Sequence, residues 1–197
     1  SNSGKTFLVA SHIEEALRRK KKRKFIYMSP EFAEDRTLQK LRNNKRWQKY
    51  FTGIDVSDRA FKESEKGSAS QWWDEVIFPK LEAAEEGTVI IMDDNKDSEV
   101  WRQSRTCRHK KVGLVSIQHE VRGSQDTAQA YSSVKTVILF PRAGGKGKQV
   151  DFLHEMTGVT LRRAHELGEI FAESGRWMSI HSWSPVVLYG PKYAVWV

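Results

Sequence analysis

The sequence predicts an α/β fold in which a mainly parallel sheet is flanked by helices. A Gly-Lys-Thr motif at residues 4–6 leads directly into a helical pattern, and the short apolar run Phe25-Ile26-Tyr27-Met28 follows it. Further along, Val89 to Met92 form a second apolar run, which ends in two carboxylates. Fully apolar strands are typical of a parallel sheet that is covered on both faces, and their alternation with helices indicates the α/β class.

Length and composition predict a single domain over residues 1–197. A chain of 197 residues, of which 39% are hydrophobic, can bury one core. The strand that normally feeds a Gly-Lys-Thr loop is missing before Ser1, so we expect a domain truncated at its amino terminus. No apolar run approaches the roughly 18 residues of a membrane span, and the lone Cys107 excludes an internal disulfide. We therefore expect a protein of a reducing, cytoplasmic compartment with no membrane partner.

The charge balance predicts an anionic partner. The net charge is +8 and the isoelectric point is near 9.6, and a positive field raises the local concentration of polyanions, nucleic acid above all. Residues 18–24 form an unbroken basic run, which is either a nucleic-acid contact or a solvated helix end. A second basic cluster over residues 40–49 alternates with Leu41, Trp47 and Tyr50, as an amphipathic surface helix would.

The first residues match the second half of a phosphate-binding loop, the Walker A motif. In such a loop, backbone amides surround the phosphates, the lysine neutralises phosphate charge and the hydroxyl ligates Mg²⁺. Val9, Ile13 and Leu17 follow at helical spacing, so the helix can pack on a sheet while its amino end faces an anion. The alternative is a solvated turn. The predicted nucleotide-binding residues are Ser1, Asn2, Ser3, Gly4, Lys5 and Thr6, with Thr6 also a metal ligand.

The second apolar run ends in Asp93 and Asp94, which predicts a Walker B motif. Ligands of open α/β sheets gather at the carboxyl ends of the strands. There, the first carboxylate would hold the magnesium shell and the second would polarise the attacking water. The alternative is an aspartate pair that caps a turn before the loop at residues 95–98.

Two further strands are predicted in the same sheet. The strand 112–117 ends at Gln118, whose amide would sense the γ-phosphate or orient water, unless it is a simple hydrogen-bonding residue. The strand 136–140 ends at Pro141-Arg142. Helices are predicted over residues 150–156 and 161–175, followed by a hairpin over 177–189 and a strand over 193–197. These strands are expected to add to the sheet in antiparallel orientation.

Two classes of nucleotide-binding protein fit the sequence less well. A GTPase reads guanine with Asn-Lys-x-Asp, but Asn95-Lys96-Asp97-Ser98 offers serine where the last aspartate is required. A small-molecule kinase needs an arginine-rich lid, and nothing between the predicted strands has that pattern, so a kinase stays a weaker alternative.

The order of these motifs resembles the FtsK and HerA group of DNA-translocating ATPases, and within it the viral genome-packaging ATPases of the poxvirus type. The resemblance is carried by Ser3 to Thr6, Phe25 to Pro30, Val89 to Asp94, Arg108-His109 and Val112 to Gln118. It spans roughly residues 1–142, with weaker similarity over 177–197. It implies a RecA-like (ASCE) P-loop NTPase fold, ATP and Mg²⁺ as cofactors, and a pentameric or hexameric ring. That ring would drive double-stranded DNA into a capsid, with capsid proteins as partners, in the host cytoplasm or the virion.

The resemblance also implies an arginine finger that reaches a neighbouring subunit's γ-phosphate. Arg122 is predicted for this role, with Arg105, Arg108 and Arg142 as competitors. The basic, glycine-rich segment 142–148 would suit a loop that grips DNA phosphates, or else a mobile solvent loop. The alternative functions are a cellular FtsK-like or HerA-like pump or helicase, a nucleotide or small-molecule kinase, and an ATP-binding adaptor with little turnover.

Overall fold

A computed structural model describes residues 4–19, 23–95, 97–117, 135–140, 146–174, 177–181, 187–190, 192 and 194–196. The chain divides into two compact units, Lys5–His119 and Glu120–Val197, the latter together with Ser1–Gly4. The single domain predicted over residues 1–197 remains a prediction.

The first unit contains a parallel sheet of four strands. The strands are β1 (Phe25–Ser29), β2 (Phe51–Asp55), β3 (Val89–Asp93) and β4 (Gly113–Ile117), in the order β2-β1-β3-β4. Phe25 pairs with both Phe51 and Val89, and Val89 pairs with Gly113, so all four strands begin together and end together. The sheet thus has an amino end and a carboxyl end, and Asp93 lies at the carboxyl end.

Helices connect these strands. They are α1 (Lys5–Arg18), a 3₁₀ turn (Arg36–Leu38) continuing into α2 (Gln39–Asn43), α3 (Asp58–Glu63), α4 (Ala69–Trp72), α5 (Phe78–Glu82) and α6 (Asp97–Lys110). A single π turn over Trp73–Ile77 joins α4 to α5. The side chains of Ser57 and Ser68 cap α3 and α4 by accepting hydrogen bonds from Ala60 N and Gln71 N.

Both faces of the parallel sheet are covered, as its apolar strands predict. On one face, Ala10, Ile13 and Leu17 of α1 pack with Tyr27 and Ile91. On the other face, the aromatic and aliphatic side chains of α4 to α5 pack with alternate residues of β1 and β3, namely Met28, Ile90 and Met92. The predicted α/β class with a parallel sheet flanked by helices is therefore confirmed.

Two local features of this unit differ from the sequence analysis. Strand β2 was not predicted, because its five residues include the exposed Thr52 and the half-buried Gly53 and lack an apolar run. The amphipathic helix suggested by the basic cluster over residues 40–49 is also wrong beyond Asn43, where α2 ends and a turn follows. Asn44 has an extended backbone, and its side-chain oxygen accepts a hydrogen bond from Arg46 N at 3.0 Å. Such side-chain-to-backbone hydrogen bonds of asparagine compete with the backbone hydrogen bonds of a helix.

The second unit contains an antiparallel sheet of four strands and two helices. They are β5 (Thr136–Leu139), α7 (Lys146–Thr157), α8 (Leu161–Ser174), β6 (Met178–His181), β7 (Val187–Tyr189) and β8 (Ala194–Trp196), with strand order β5-β6-β7-β8. Both predicted helices and the three closing strands are confirmed. Their core includes Val137, Phe152, Leu167, Phe171 and Ile180.

The strand predicted over 136–140 does not join the parallel sheet. Thr136 pairs with His181 and Leu139 with Met178, both antiparallel, so the carboxyl-terminal part is a separate sheet rather than a hairpin added to the first. The alternation along β5 explains this, since Val137 and Leu139 are buried and Ile138 is exposed. That pattern is typical of an antiparallel sheet with one solvated face. Within the described residues, no helix is long and apolar enough to cross a membrane.

Candidate functional site

The carboxyl end of the parallel sheet brings two distant motifs together. Helix α1 begins at Lys5, and in its first turn Thr6 Oγ1 donates a hydrogen bond to Asp93 Oδ2 at 3.1 Å, across 87 positions of sequence. The positive charge of Lys5 favours the ionised form of Asp93. The fold therefore brings Thr6 of the loop motif and Asp93 of the acidic strand together at the carboxyl end of the sheet.

A tyrosine that the sequence analysis did not single out completes this contact. Tyr27, fully buried in the centre of β1, donates its hydroxyl hydrogen to the same Oδ2 of Asp93 at 2.5 Å. Burial, and then the negative charge of Asp93, raise the pKa of Tyr27 far above its ordinary value, so this hydroxyl acts only as a donor. The only indication of this role in the sequence is the hydroxyl group of Tyr27, which is the one polar side-chain group in the run Phe25-Ile26-Tyr27-Met28.

The burial of Asp93 governs its titration. The residue is 8% exposed, and this desolvation raises the pKa of its carboxyl group. Hydrogen bonds from Tyr27 and Thr6 oppose that rise because they favour the ionised form, whereas the charge of Asp94 adds to it. Two donors thus hold one oxygen of a carboxylate that is largely shielded from water.

Asp94 lies in a different environment from its neighbour. It is exposed and its backbone is left-handed, with φ at 60°, a conformation that aspartate tolerates better than most residues. Its amide donates to Ile117 O at 3.0 Å, which ties the end of β3 to the end of β4. The two adjacent carboxylates therefore lie in different environments. Asp93 is buried beside two hydrogen-bond donors, whereas Asp94 is exposed to solvent.

Asn95 has a structural role at the same end of the sheet. Its side-chain amide donates to Asp93 O at 3.0 Å and to Met28 O at 3.4 Å, so it bridges the ends of β3 and β1. The chain then enters α6 at Asp97, where the sequence analysis had placed a loop. The side-chain amide of Asn95 is thus engaged by the backbone of two strands.

The remaining predicted site residues fall into two groups. Gly4 has a left-handed φ of 81° just before α1, which favours glycine at this position of the loop. Arg105 and Arg108 lie in the second half of α6, which leads away from Asp93 toward the start of β4. Outside the described residues lie Ser1, Asn2, Ser3, Gln118, Arg122 and Arg142; Ile117, directly before Gln118, pairs with Asp93.

The donor set suits a hard cation that is shared with a phosphate ligand. Among the described residues, no group of three or more His, Cys, Asp and Glu side chains could hold a metal alone. The site instead offers the Thr6 hydroxyl and the Asp93 carboxylate, and Mg²⁺ is commonly held by one or two such oxygens together with waters and phosphates. The backbone amides of the first turn of α1 and the charge of Lys5 are suited to those phosphates.

A cavity of about 460 Å³ lies elsewhere in this unit. It is lined by β2 and by side chains of the α3 to α5 segment, including Trp72 and Val76, and by none of the predicted site residues.

Comparison with known proteins adds no relative: no protein family, no curated protein and no solved structure matches this chain.

Proposed function

We propose that this chain is an ATP-hydrolysing DNA translocase built on a RecA-like P-loop fold, most consistent with viral genome packaging. The observation that carries the proposal is the hydrogen bond from Thr6 to Asp93, because it joins the loop motif and the acidic strand at the carboxyl end of a parallel sheet. If Gly-Lys-Thr were only a solvated turn, nothing would require its threonine to form a hydrogen bond with a buried carboxylate 87 positions away.

In this function, Lys5 and the first amides of α1 would bind the phosphates. The Thr6 hydroxyl and the Asp93 carboxylate would hold the metal ion. Bound Mg²⁺ supplies charge neutralisation of the β- and γ-phosphates. The two donors on Asp93 Oδ2 hold its carboxylate in one orientation, so that the group does not have to reorganise when the ligand arrives. This arrangement supports binding rather than proton transfer.

The exposed Asp94 is the group that would accept a proton from water. Asp94 directly follows β3, its backbone is left-handed and it is exposed to solvent. Gln118 and Arg122 keep their proposed roles in coupling and as the finger of a neighbouring subunit. The division of labour between two adjacent acids predicts that binding and hydrolysis can be separated by mutation.

The test is the Asp94→Asn variant of the full-length protein. Asparagine tolerates the left-handed backbone as well as aspartate does, so the fold should persist while the base is lost. We expect nucleotide affinity to stay within a few-fold of wild type and hydrolysis to fall by about 100-fold or more. Asp58→Asn, on the exposed first turn of α3, is the matched control and should leave hydrolysis unchanged. An equal loss of binding and hydrolysis in Asp94→Asn would contradict the assignment.

The partner is proposed from the net charge of +8 and from the resemblance to translocating ATPases. Hydrolysis stimulated several-fold by duplex DNA would support a pump. Phosphate transfer to a nucleoside with no effect of DNA would instead indicate a kinase, and absence of both would indicate an adaptor. Rings seen by electron microscopy, and their attachment to capsids, would separate viral packaging from a cellular pump.

A further inference from the structure

We infer that the amino end of the parallel sheet carries a contact surface for the phosphate backbone of duplex DNA, at the opposite end from the Thr6–Asp93 site. The surface consists of Arg23, Lys45, Arg46 and Lys49, named here the amino-end basic surface. The choice of DNA as partner rests on the proposed function, whereas the surface itself is argued from placement, rigidity and charge.

The pairing of the strands brings these residues to one place. Phe25 pairs with Phe51 in register, and Phe25 N donates to Tyr50 O at 2.7 Å. The residues that lead into β1 and β2 therefore run side by side, with Arg23 on one strand entry and Lys49 on the other. Two basic segments that are well separated in sequence become a single surface.

The turn that presents three of these cations is firmly held. Within residues 44–51, Trp47 N donates to Asn44 O at 2.9 Å, and the amides of Tyr50 and Phe51 both donate to Trp47 O, at 2.8 and 2.9 Å. Trp47 and Tyr50 are half-buried and pack against the core on the α1 face of the sheet. The aromatic side chains thus anchor the turn while its cations stay exposed. A preorganised surface loses less conformational entropy when a ligand binds.

Among the described residues, no acid forms an ion pair with the cations of this surface. Other basic residues that lead into the strands do have partners, since Lys24 Nζ lies 2.6 Å from Glu85 and Lys111 Nζ lies 3.1 Å from Glu86. Arg23, Lys45 and Arg46 form no ion pair with any residue in the part of the chain that the structure describes. Lys49 lies over the Tyr50 ring, 4.8 Å from its centroid. A phosphate can therefore bind here without first breaking an ion pair.

The surroundings favour a duplex backbone over other polyanions. Single strands bind by stacking bases on exposed aromatic rings, but Trp47 and Tyr50 are half-buried against the core, and Lys49 lies over the Tyr50 ring. Membrane surfaces take up exposed apolar side chains. Of the described residues, the large hydrophobic ones that are exposed are Phe7, Val115, Ile138 and Leu161, and none of these belongs to the turn. Exposed cations without stacking or inserting groups fit phosphate contacts that read no sequence.

The experiment measures duplex binding without nucleotide, so that it does not depend on the ATP site. Fluorescence anisotropy of a labelled duplex of arbitrary sequence is compared between wild type, Lys45→Gln/Lys49→Gln and the control Lys62→Gln/Lys80→Gln. Both double variants remove two exposed lysines, but the control pair lies on α3 and α5. Losing two phosphate contacts should weaken binding by roughly ten- to thirtyfold near physiological salt and lower the salt slope by about 1.8. The control should stay within a few-fold of wild type.

Three outcomes would overturn the inference. Equal losses in both double variants would show that only overall charge matters, while leaving the ATPase assignment intact. Tighter binding of single-stranded RNA or of anionic vesicles than of duplex DNA would reject the partner. A wild-type protein that binds no polyanion would reject the surface. Failure of the ATPase assignment would appear separately, in the Asp94→Asn measurements, and thermal unfolding of each variant verifies that it is folded.

Discussion

Replacing Tyr27 with phenylalanine tests the physical account of the Asp93 site most directly. The change removes one hydroxyl and keeps the ring, which packs 6.2 Å from Phe32 and 6.4 Å from Phe51 between ring centroids. What is lost is the hydrogen bond to Asp93 Oδ2, made at 2.5 Å by a fully buried donor. Thr6 still donates to that oxygen in the variant.

The size of the effect follows from the charge on the acceptor. A hydrogen bond to an ionised group contributes about 1.5–3 kcal/mol, and removal of the buried hydroxyl returns part of its own desolvation cost. We therefore expect Tyr27→Phe to lower the free energy of unfolding of the metal-free protein by about 1–2 kcal/mol at pH 7. The carboxylate keeps its burial and loses a donor, so the already raised pKa of Asp93 should rise further in the variant.

The pH dependence gives the prediction its sign. An acid whose pKa is higher in the folded state contributes stability below its unfolded pKa and loses it as pH rises through the folded value. Without Tyr27 the folded-state pKa of Asp93 is higher, so the variant loses more stability as pH rises. The difference in free energy of unfolding between wild type and Tyr27→Phe should therefore be widest at neutral pH. The gap should narrow as pH falls through the raised pKa toward the ordinary range of aspartate, where Asp93 is neutral in both proteins.

Urea unfolding at several pH values measures this gap, provided that the transition of the first unit can be followed separately. Tyr50→Phe is the matched control, since Tyr50 is only half-buried and lies at the amino end of the sheet, and it should show no such pH dependence. A Tyr27→Phe gap that is constant with pH, or that widens in acid, would refute the account of Asp93 as a buried carboxylate held by the tyrosine.

Two further predictions concern the same unit. Asp93→Asn removes a buried charge but keeps an oxygen that can accept from Tyr27, so the metal-free variant should melt at a higher temperature than wild type at pH 7. That difference should shrink as pH is lowered toward the ordinary pKa of aspartate, and a lower melting temperature at pH 7 would contradict the raised pKa. Gly53→Ala should cost about 1–3 kcal/mol in urea unfolding, because the added Cβ would lie 1.7 Å from Phe32 Cζ and the half-buried ring would have to shift. Gly113→Ala, whose Cβ would have its nearest contact at 3.3 Å, is the milder control, and equal costs for the two would reject the steric argument.

The parts of the fold that were predicted correctly depend on local signals. Helix α1 has its apolar residues at helical spacing, and β1 and β3 are continuous apolar runs because both faces of the sheet are covered. The meeting of Thr6 and Asp93 was predictable from the rule that loops and acids gather at the carboxyl ends of parallel strands. Their separation of 87 positions did not hinder the prediction.

The features that were missed depend on contacts between distant segments. Strand β2 has a weak local pattern, and its Gly53 is explained only by the Phe32 ring that lies against it. From the sequence alone, Tyr27 is indistinguishable from an ordinary aromatic core residue. Its role depends on Asp93, which lies beside it only in the folded chain. Likewise, the pairing partner of β5 is not a property of its own four residues.

The sequence by itself determined the α/β class, the order of helices and strands around the Gly-Lys-Thr loop, and the residue types that could bind a phosphate and a metal. Those properties follow from periodicity and side-chain chemistry, which are local. Only the tertiary structure decided that β5 belongs to a second sheet, that Tyr27 holds Asp93, and that Arg23 joins the cations of the turn at residues 44–50. Each of these depends on burial and register between segments far apart in the chain, where the free energy of packing, rather than local propensity, selects the partner.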